Sequence, residues 1–288
     1  MSALRPHTVP MDAGPSPVFR ILQVTDIHAD VSEVDNIQTR DGIRRLADLH
    51  SPDLLMVTGD VWCSDDKPHL APMWRNRELS FLNALGVPWA LTYGNHDYTE
   101  NDPAGLLASI GRMSNARIPA PTPRGDYRIE LRRDGEALWD LFVLNSGEAW
   151  RMPGDLDWFL AETDALRRER EKTVPALLFF HIPLGNHQRA IDEGRFNGLA
   201  LEPASGWGDD DGCGAELVKG AGNVRACFCG HMHRNDGWFD EGGVRFHFSR
   251  SSGFGGYGHD TTPKGGRLIE IDLATGALES RTVLHCEG

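Results

Sequence analysis

Five short segments carry side chains that hold metal ions or move protons: Asp26-Ile27-His28, Gly59-Asp60, Gly94-Asn95-His96-Asp97, His181-Ile182-Pro183 and Gly230-His231-Met232-His233. Their donors are carboxylate oxygen, amide oxygen and imidazole nitrogen. That mixture suits borderline divalent ions such as Mn²⁺, Fe²⁺ or Zn²⁺, whereas an all-oxygen set would suit Mg²⁺ or Ca²⁺. No thiolate occurs in any of them, which argues against a closed structural zinc site, since such sites lean on cysteine pairs. Each segment taken singly has an ordinary explanation. An Asp after a strand is commonly a cap or turn residue, Gly-Asn-His-Asp reads as a turn with positive φ, and His181 reads as one satisfied histidine at a strand end. His231 and His233 are harder to dismiss, because residues two apart in an extended chain point the same way. The joint occurrence decides for a metal centre: each segment falls just past a predicted strand, where open α/β sheets collect their binding loops.

The elements that must position these segments alternate. Short apolar runs at 19–24, 53–58 and 88–92 read as strands, with helical periodicity at 36–50 and 73–85 between them, the pattern of an α/β protein. Residues 127–132 and 138–144 read as antiparallel strands joined by a turn containing Arg133, Asp134 and Gly135. An amphipathic helix over 155–171, a strand over 176–180, a helix over 214–220 and a strand over 224–229 follow. From 237 to 283 the pattern is strands with Gly-rich connections and a hairpin turn at 274–276. The expected architecture is a four-layered α-β-β-α sandwich of two mixed sheets flanked by helices. Residues 1–17 are expected to be a flexible lead and 18–288 a single domain.

Composition bounds the partners. A formal charge of −13 opposes binding to a nucleic-acid backbone or an anionic membrane, and no Lys/Arg-rich run reverses it locally, so neither partner is expected. A small anionic substrate remains compatible, because two bound divalent cations would dominate the field inside their own site. Five cysteines, Cys63, Cys213, Cys227, Cys229 and Cys286, form no CxxC pair, and their odd number leaves one thiol unpaired in any disulfide scheme. A reducing, cytoplasmic compartment is therefore expected. Cys227 and Cys229 flank Phe228 on one face of a strand and read as buried small hydrophobes. The lead has no apolar stretch of signal-peptide type, and no apolar run is long enough to span a bilayer.

In its order DxH, GD, GNHD, HxP and GHxH, the set resembles the calcineurin-like metallophosphoesterase superfamily, over about residues 20–281. Within it, 175–183 (PALLFFHIP), 224–236 (VRACFCGHMHRND) and 252–258 (SGFGGYG) resemble the branch related to purple acid phosphatases. Purple enzymes are similar up to GDxxY, whose tyrosine ligates Fe(III). Here Cys63 stands at that position in Gly59-Asp60-Val61-Trp62-Cys63, which argues for a colourless Mn, Fe or Zn pair.

The resemblance implies two divalent transition-metal ions. Asp26, His28 and His233 would bind the first, Asn95, His181 and His231 the second, and Asp60 would bridge them. It further implies in-line attack on phosphorus by a metal-bridging hydroxide, with His96 protonating the leaving oxygen and Asp97 orienting its ring or capping the turn. Asn235 and Asp236 would support the His231 loop or form a simple turn, and Trp62, Tyr98, Asn186, His187, Phe254, Tyr257 and His259 could rim the pocket or equally serve packing and loop structure. The expected activity is hydrolysis of a small phosphomonoester. The alternatives are a phosphodiesterase acting on cyclic nucleotides or glycerophosphodiesters and, from another class, a non-catalytic binding scaffold.

Overall fold

Strand formation follows the apolar runs, whose β-branched and aromatic side chains pack well on a pleated surface. The computed structural model describes residues 5–62, 68–97, 103–152 and 154–287. In chain order its elements are β1 (Thr8–Asp12), β2 (Val18–Val24), α1 (Glu33–His50), β3 (Leu54–Thr58), α2 (Ala71–Ala84), β4 (Trp89–Thr92), α3 (Pro103–Ile110), β5 (Tyr127–Arg133), β6 (Glu136–Val143) and α4 (Asp157–Glu169). There follow β7 (Ala176–Phe179), α5 (Asn186–Asp192), β8 (Asn197–Ala200), α6 (Cys213–Gly220), β9 (Val224–Cys229), β10 (Asn235–Glu241), β11 (Val244–Phe248), β12 (Gly265–Asp272) and β13 (Leu278–Leu284).

The described strands make two mixed sheets. One has eight strands in the order β1-β5-β6-β7-β9-β11-β10-β8, the other five in the order β13-β12-β2-β3-β4. Strands β2, β3 and β4 run parallel to one another, as do β6, β7, β9 and β11. Their carboxyl ends deliver the motifs: β2 ends two residues before Asp26, β3 before Asp60, β7 before His181 and β9 before His231, while β4 ends three before Asn95.

Period-two alternation on the larger sheet separates its two faces. Leu177 and Phe179 of β7 and Ala226 and Phe228 of β9 join the core shared with β2, β3, β4 and β12. Their neighbours Ala176, Leu178, Cys227 and Cys229 face the other way, packing with Phe159 and Leu166 of α4, Ala190 of α5 and Ala215 and Val218 of α6. Both cysteines are buried, as their alternation implied. On the smaller sheet, α1 lays Ile43, Leu46 and Ala47 into the core, the spacing of one helical face. Its start is fixed by Ser32, whose Oγ accepts from Asp35 N, with Glu33 and Asp35 in the first turn where the helix dipole favours acids. The four layers of the expected sandwich are thus present.

The sheets are tied together beside the motifs. Strand β4 is the edge of the smaller sheet; its unpaired backbone is satisfied at Trp89 by residues 115 and 117 and at Leu91 from the larger sheet, to which the Thr92 side chain adds a further bond. Tyr127 Oη donates to Leu91 O at 2.7 Å and accepts from Leu91 N at 3.0 Å, and Thr92 Oγ1 donates to Leu144 O at 2.7 Å.

One expectation needs correction. Within the supposed flexible lead, residues 8–12 form β1, paired in parallel with β5 and burying Met11. Pro10, which cannot donate to a ladder, is accommodated because β1 is an edge strand. Short elements α3, α5 and β8 also stand where the pattern of residues had predicted none.

Candidate metal centre

Strand ends set the backbone, and the backbone is strained there. Of seven described non-glycine residues with positive φ, four belong to the motifs: Asp26 (53°), His28 (49°), Asp60 (52°) and His231 (72°). Left-handed conformations cost side-chain-bearing residues about 1–2 kcal/mol each, and such strain persists where packing over-determines it. Here it turns successive side chains of the short loops into one space.

In that space the donors converge. Asp60 Oδ2 lies 3.1 Å from His181 Nε2 and 3.4 Å from His28 Nε2. His28 Nε2 is 3.1 Å from His233 Nε2, which is 3.3 Å from Asp26 Oδ1. His181 Nε2 also meets Asn95 Oδ1 at 3.2 Å. The rings of His181 and His231 are 5.2 Å apart, and those of His28 and His96 5.0 Å. Metal-holding geometry occurs in the groups Asp26/His28/His233, Asp60/His181/His231 and His28/Asp60/His96. Asp26, His28, Asp60, His181 and His233 are buried, while His96 and His231 are half-buried. The early Asp-x-His and late His-x-His segments, more than 200 residues apart, thus share one site.

Two imidazoles are oriented by carbonyls. His181 Nδ1 lies 2.8 Å from Thr58 O and His233 Nδ1 lies 3.0 Å from Tyr257 O. A carbonyl only accepts, so each Nδ1 carries a proton and each Nε2 is turned to the centre. Burial acts to lower His181, but the adjacent Asp60 carboxylate reverses this and raises it to about 9. Burial acts to raise Asp26 and Asp60, yet the charges of His233 and His181 respectively hold both well below the usual carboxylate range. His28 and His231 are each lowered to about 4, burial being the main cause.

Close approach explains two glycines. A methyl at Gly94 would overlap Asp60 Oδ1, and one at Gly59, whose φ is +92°, would stand 2.6 Å from both Gly94 N and His181 Nδ1.

Of the two roles expected for Asp97, its contacts are of the turn-capping kind. Its Oδ1 accepts from Val61 N at 2.8 Å and Trp62 N at 3.2 Å, and its Oδ2 from Gly94 N at 2.8 Å. It ties the loop after β4 to the loop after β3, the turn-capping alternative. Burial and the Asp60 charge push its carboxyl up to about 7 against these amides.

Of the supposed rim, Trp62, Asn186 and His187 are fully buried. His187 packs against Phe239, Phe246 and Phe248 because α5, unforeseen in the sequence, turns it inward. Tyr257 and His259 are exposed and Phe254 is half-buried, while Tyr98 and Cys63 lie outside the described residues. Asn235 Oδ1 accepts from Leu201 N and Glu202 N, supporting the loop beside His231, and Asp236 is ion-paired to Arg250 and Arg267. Glu202, Lys264 and the Thr58 carbonyl were not singled out beforehand: a backbone acceptor leaves no side-chain signature, and Glu202 and Lys264 lie in loops without a motif.

The chain is 23% identical to "Probable inactive purple acid phosphatase 29" of Arabidopsis thaliana, covering 88% of this chain and 77% of that protein. It is 27% identical to "Probable inactive purple acid phosphatase 28" of the same plant, covering 90% and 76%. The crystal structure of a dimetal phosphatase from Danio rerio superposes with a TM-score of 0.60 at 12% identity, over 94% of this chain and all of that one, a likeness of fold. The family model for calcineurin-like phosphoesterases matches residues 19–235, a span that contains all five motifs. The chain belongs to the calcineurin-like phosphoesterase family.

Proposed function

We propose that the protein is a dinuclear metal-dependent hydrolase of phosphate esters, most active on a small phosphomonoester. The observation that carries this is a convergence of lone pairs. With Nδ1 of His181 and His233 protonated toward carbonyls, their Nε2 atoms face oxygen acceptors: Asp60 Oδ2 and Asn95 Oδ1 in one case, Asp26 Oδ1 in the other, where His28 Nε2 also closes to 3.1 Å. Such acceptors sit together only with a proton or a cation between them, and two cations fit the two donor groups. Asp26, His28 and His233 would hold one ion and Asn95, His181 and His231 the other, with Asp60 common to both.

When bound, an ion pair of this kind polarises phosphoryl oxygens and makes water acidic enough to react near neutral pH. The chain's own residues supply the rest. Asp60 holds both halves of the centre in register, and Asp97 fixes the two loops that carry Asp60 and Asn95. His96, half-buried with its backbone N–H held by Asp60 Oδ1 at 2.9 Å, donates the proton that the departing alcohol oxygen takes. Resemblance to the acid-phosphatase branch supports the monoester over the diester. Metal-reconstituted protein should turn over p-nitrophenyl phosphate faster than bis-p-nitrophenyl phosphate under Mn²⁺; the reverse order would favour a phosphodiesterase.

The names of the two plant relatives, which call those proteins inactive, favour a second reading as a non-catalytic scaffold. Retention of all seven donor residues and His96 supports catalysis here. A protein that binds no transition metal after reconstitution, and hydrolyses neither ester, would be the scaffold. The described cysteines are all unpaired, which supports a cytoplasmic placement. No described helix is long and apolar enough to cross a membrane.

A further inference from the structure

The two carbonyl-oriented histidines are braced by unlike parts of the molecule. Thr58, behind His181, ends a buried strand. Tyr257, behind His233, stands on the Gly-rich loop between β11 and β12 and is 46% exposed. A carbonyl on such a loop is only as well placed as the contacts that hold the loop.

Those contacts are specific. The Tyr257 ring stacks on the His233 imidazole, with centroids 4.0 Å apart and planes 11° from parallel, and the Arg234 guanidinium lies 5.6 Å from the ring centroid. Tyr257 Oη donates to Glu202 Oε1 at 2.9 Å, and the same oxygen accepts from Arg234 N at 2.9 Å. Glu202 is itself held by Asn235, whose Nδ2 donates to Glu202 O at 2.9 Å. Lys264, only 3% exposed, donates to Tyr257 O at 3.0 Å and to Ser251 Oγ at 2.9 Å. The carbonyl that receives the His233 proton is therefore fixed from a second side by a buried ammonium.

We propose that Tyr257, Glu202 and Lys264 are positioning residues for His233, setting the metal affinity of the Asp26/His28/His233 position separately from that of the Asp60/His181/His231 position. They act through the direction of one imidazole lone pair, and partners of that kind alter metal affinity about 10–100-fold. This rests on the dinuclear assignment proposed above.

The test is calorimetric titration of the metal-stripped, full-length protein with MnCl₂. The unaltered protein should show two binding events. Tyr257→Ala keeps the carbonyl but removes the ring and hydroxyl, and should weaken one event about 10-fold or more while leaving the other unchanged. Tyr257→Phe removes the hydroxyl that donates to Glu202 Oε1 and accepts from His233 N, and should weaken that event to a smaller degree; Glu202→Gln keeps a neutral oxygen acceptor for Tyr257 Oη and Arg234 N and should weaken it less still. These two are conservative and exposed to little folding risk. Lys264→Met should weaken the same event and Lys264→Arg should restore part of the loss. Two events weakening together, or neither weakening, in Tyr257→Ala and Tyr257→Phe would overturn the positioning assignment alone. A single event in the unaltered protein would overturn the dinuclear assignment itself.

Discussion

His96 and Asp60 are bonded neighbours with separable duties. His96 N donates to Asp60 Oδ1, while Asp60 Oδ2 faces His28 and His181. His96→Ala leaves that backbone bond intact, so the variant should retain two metal ions by elemental analysis while kcat on p-nitrophenyl phosphate falls about 10²–10⁴-fold, the usual worth of a general acid. Unchanged turnover would remove the acid role. Asp60→Ala takes away the oxygen common to both donor groups and should lose metal and activity together; full metal content there would end its shared role. Asp97→Ala should behave differently from either. It leaves the N–H groups of Val61, Trp62 and Gly94 without their acceptor, at a cost on the order of 1–3 kcal/mol for each buried group left unsatisfied. Urea unfolding in chelator should register that loss, whereas His96→Ala should unfold like the unaltered protein.

At the level of elements, the loops after β3 and β4 pack so closely that Gly94 has no room for a methyl beside Asp60 Oδ1. Gly94→Ala should therefore fold, as judged by far-ultraviolet circular dichroism, yet bind Mn²⁺ at least 10-fold more weakly, the scale of a disturbed ligand support. Unimpaired binding would mean that the loops have slack. The same local chemistry made the centre legible from residues alone. A strand, its end and a ligand-bearing turn lie within about ten residues of one another, and the Asp, His and Gly types that such a turn needs are visible together. What depended on distant pairing was not legible. Strand β1 is held by β5, with Thr8 opposite Arg128, and nothing near residue 8 announces that partner. Arg128 itself is buried between Asp140 and Glu130, three residues whose charges read as surface until β5 and β6 are paired. The sequence left the roles of Asp97 and His187 open between two readings for a related cause. Asp97 is adjacent to His96 in sequence, but two of its three bonds go to the loop after β3, and His187 faces inward only because α5 turns it there.

At the scale of the whole molecule, histidines outside the centre matter too: His187 and His247 are buried and His285 is half-buried. Burial lowers His187 and His285 to about 4, and holds His247 well below its ordinary value, with Arg267 and Arg245 adding repulsion. In the unfolded chain all three return to about 6.5. Between pH 6.5 and 4 the unfolded state therefore binds protons that the folded state refuses, and stability must rise with pH across that window. The stabilisation is complete above about 6.5 and is lost as the pH falls through about 4, by about 3 kcal/mol for a group shifted as far as His187. Acidification also reduces the net charge from −13, which eases self-repulsion and opposes this loss, and the histidines of the centre titrate as well. Comparison with His187→Phe cancels both, because they are common to the two proteins. His187 sits among Phe239, Phe246 and Phe248, so a phenylalanine there meets apolar neighbours. Urea unfolding in chelator at pH 7, 5.5 and 4 should find His187→Phe gaining on the unaltered protein toward acid, by about 3 kcal/mol over the range. Parallel curves would show that His187 is not held neutral by its surroundings.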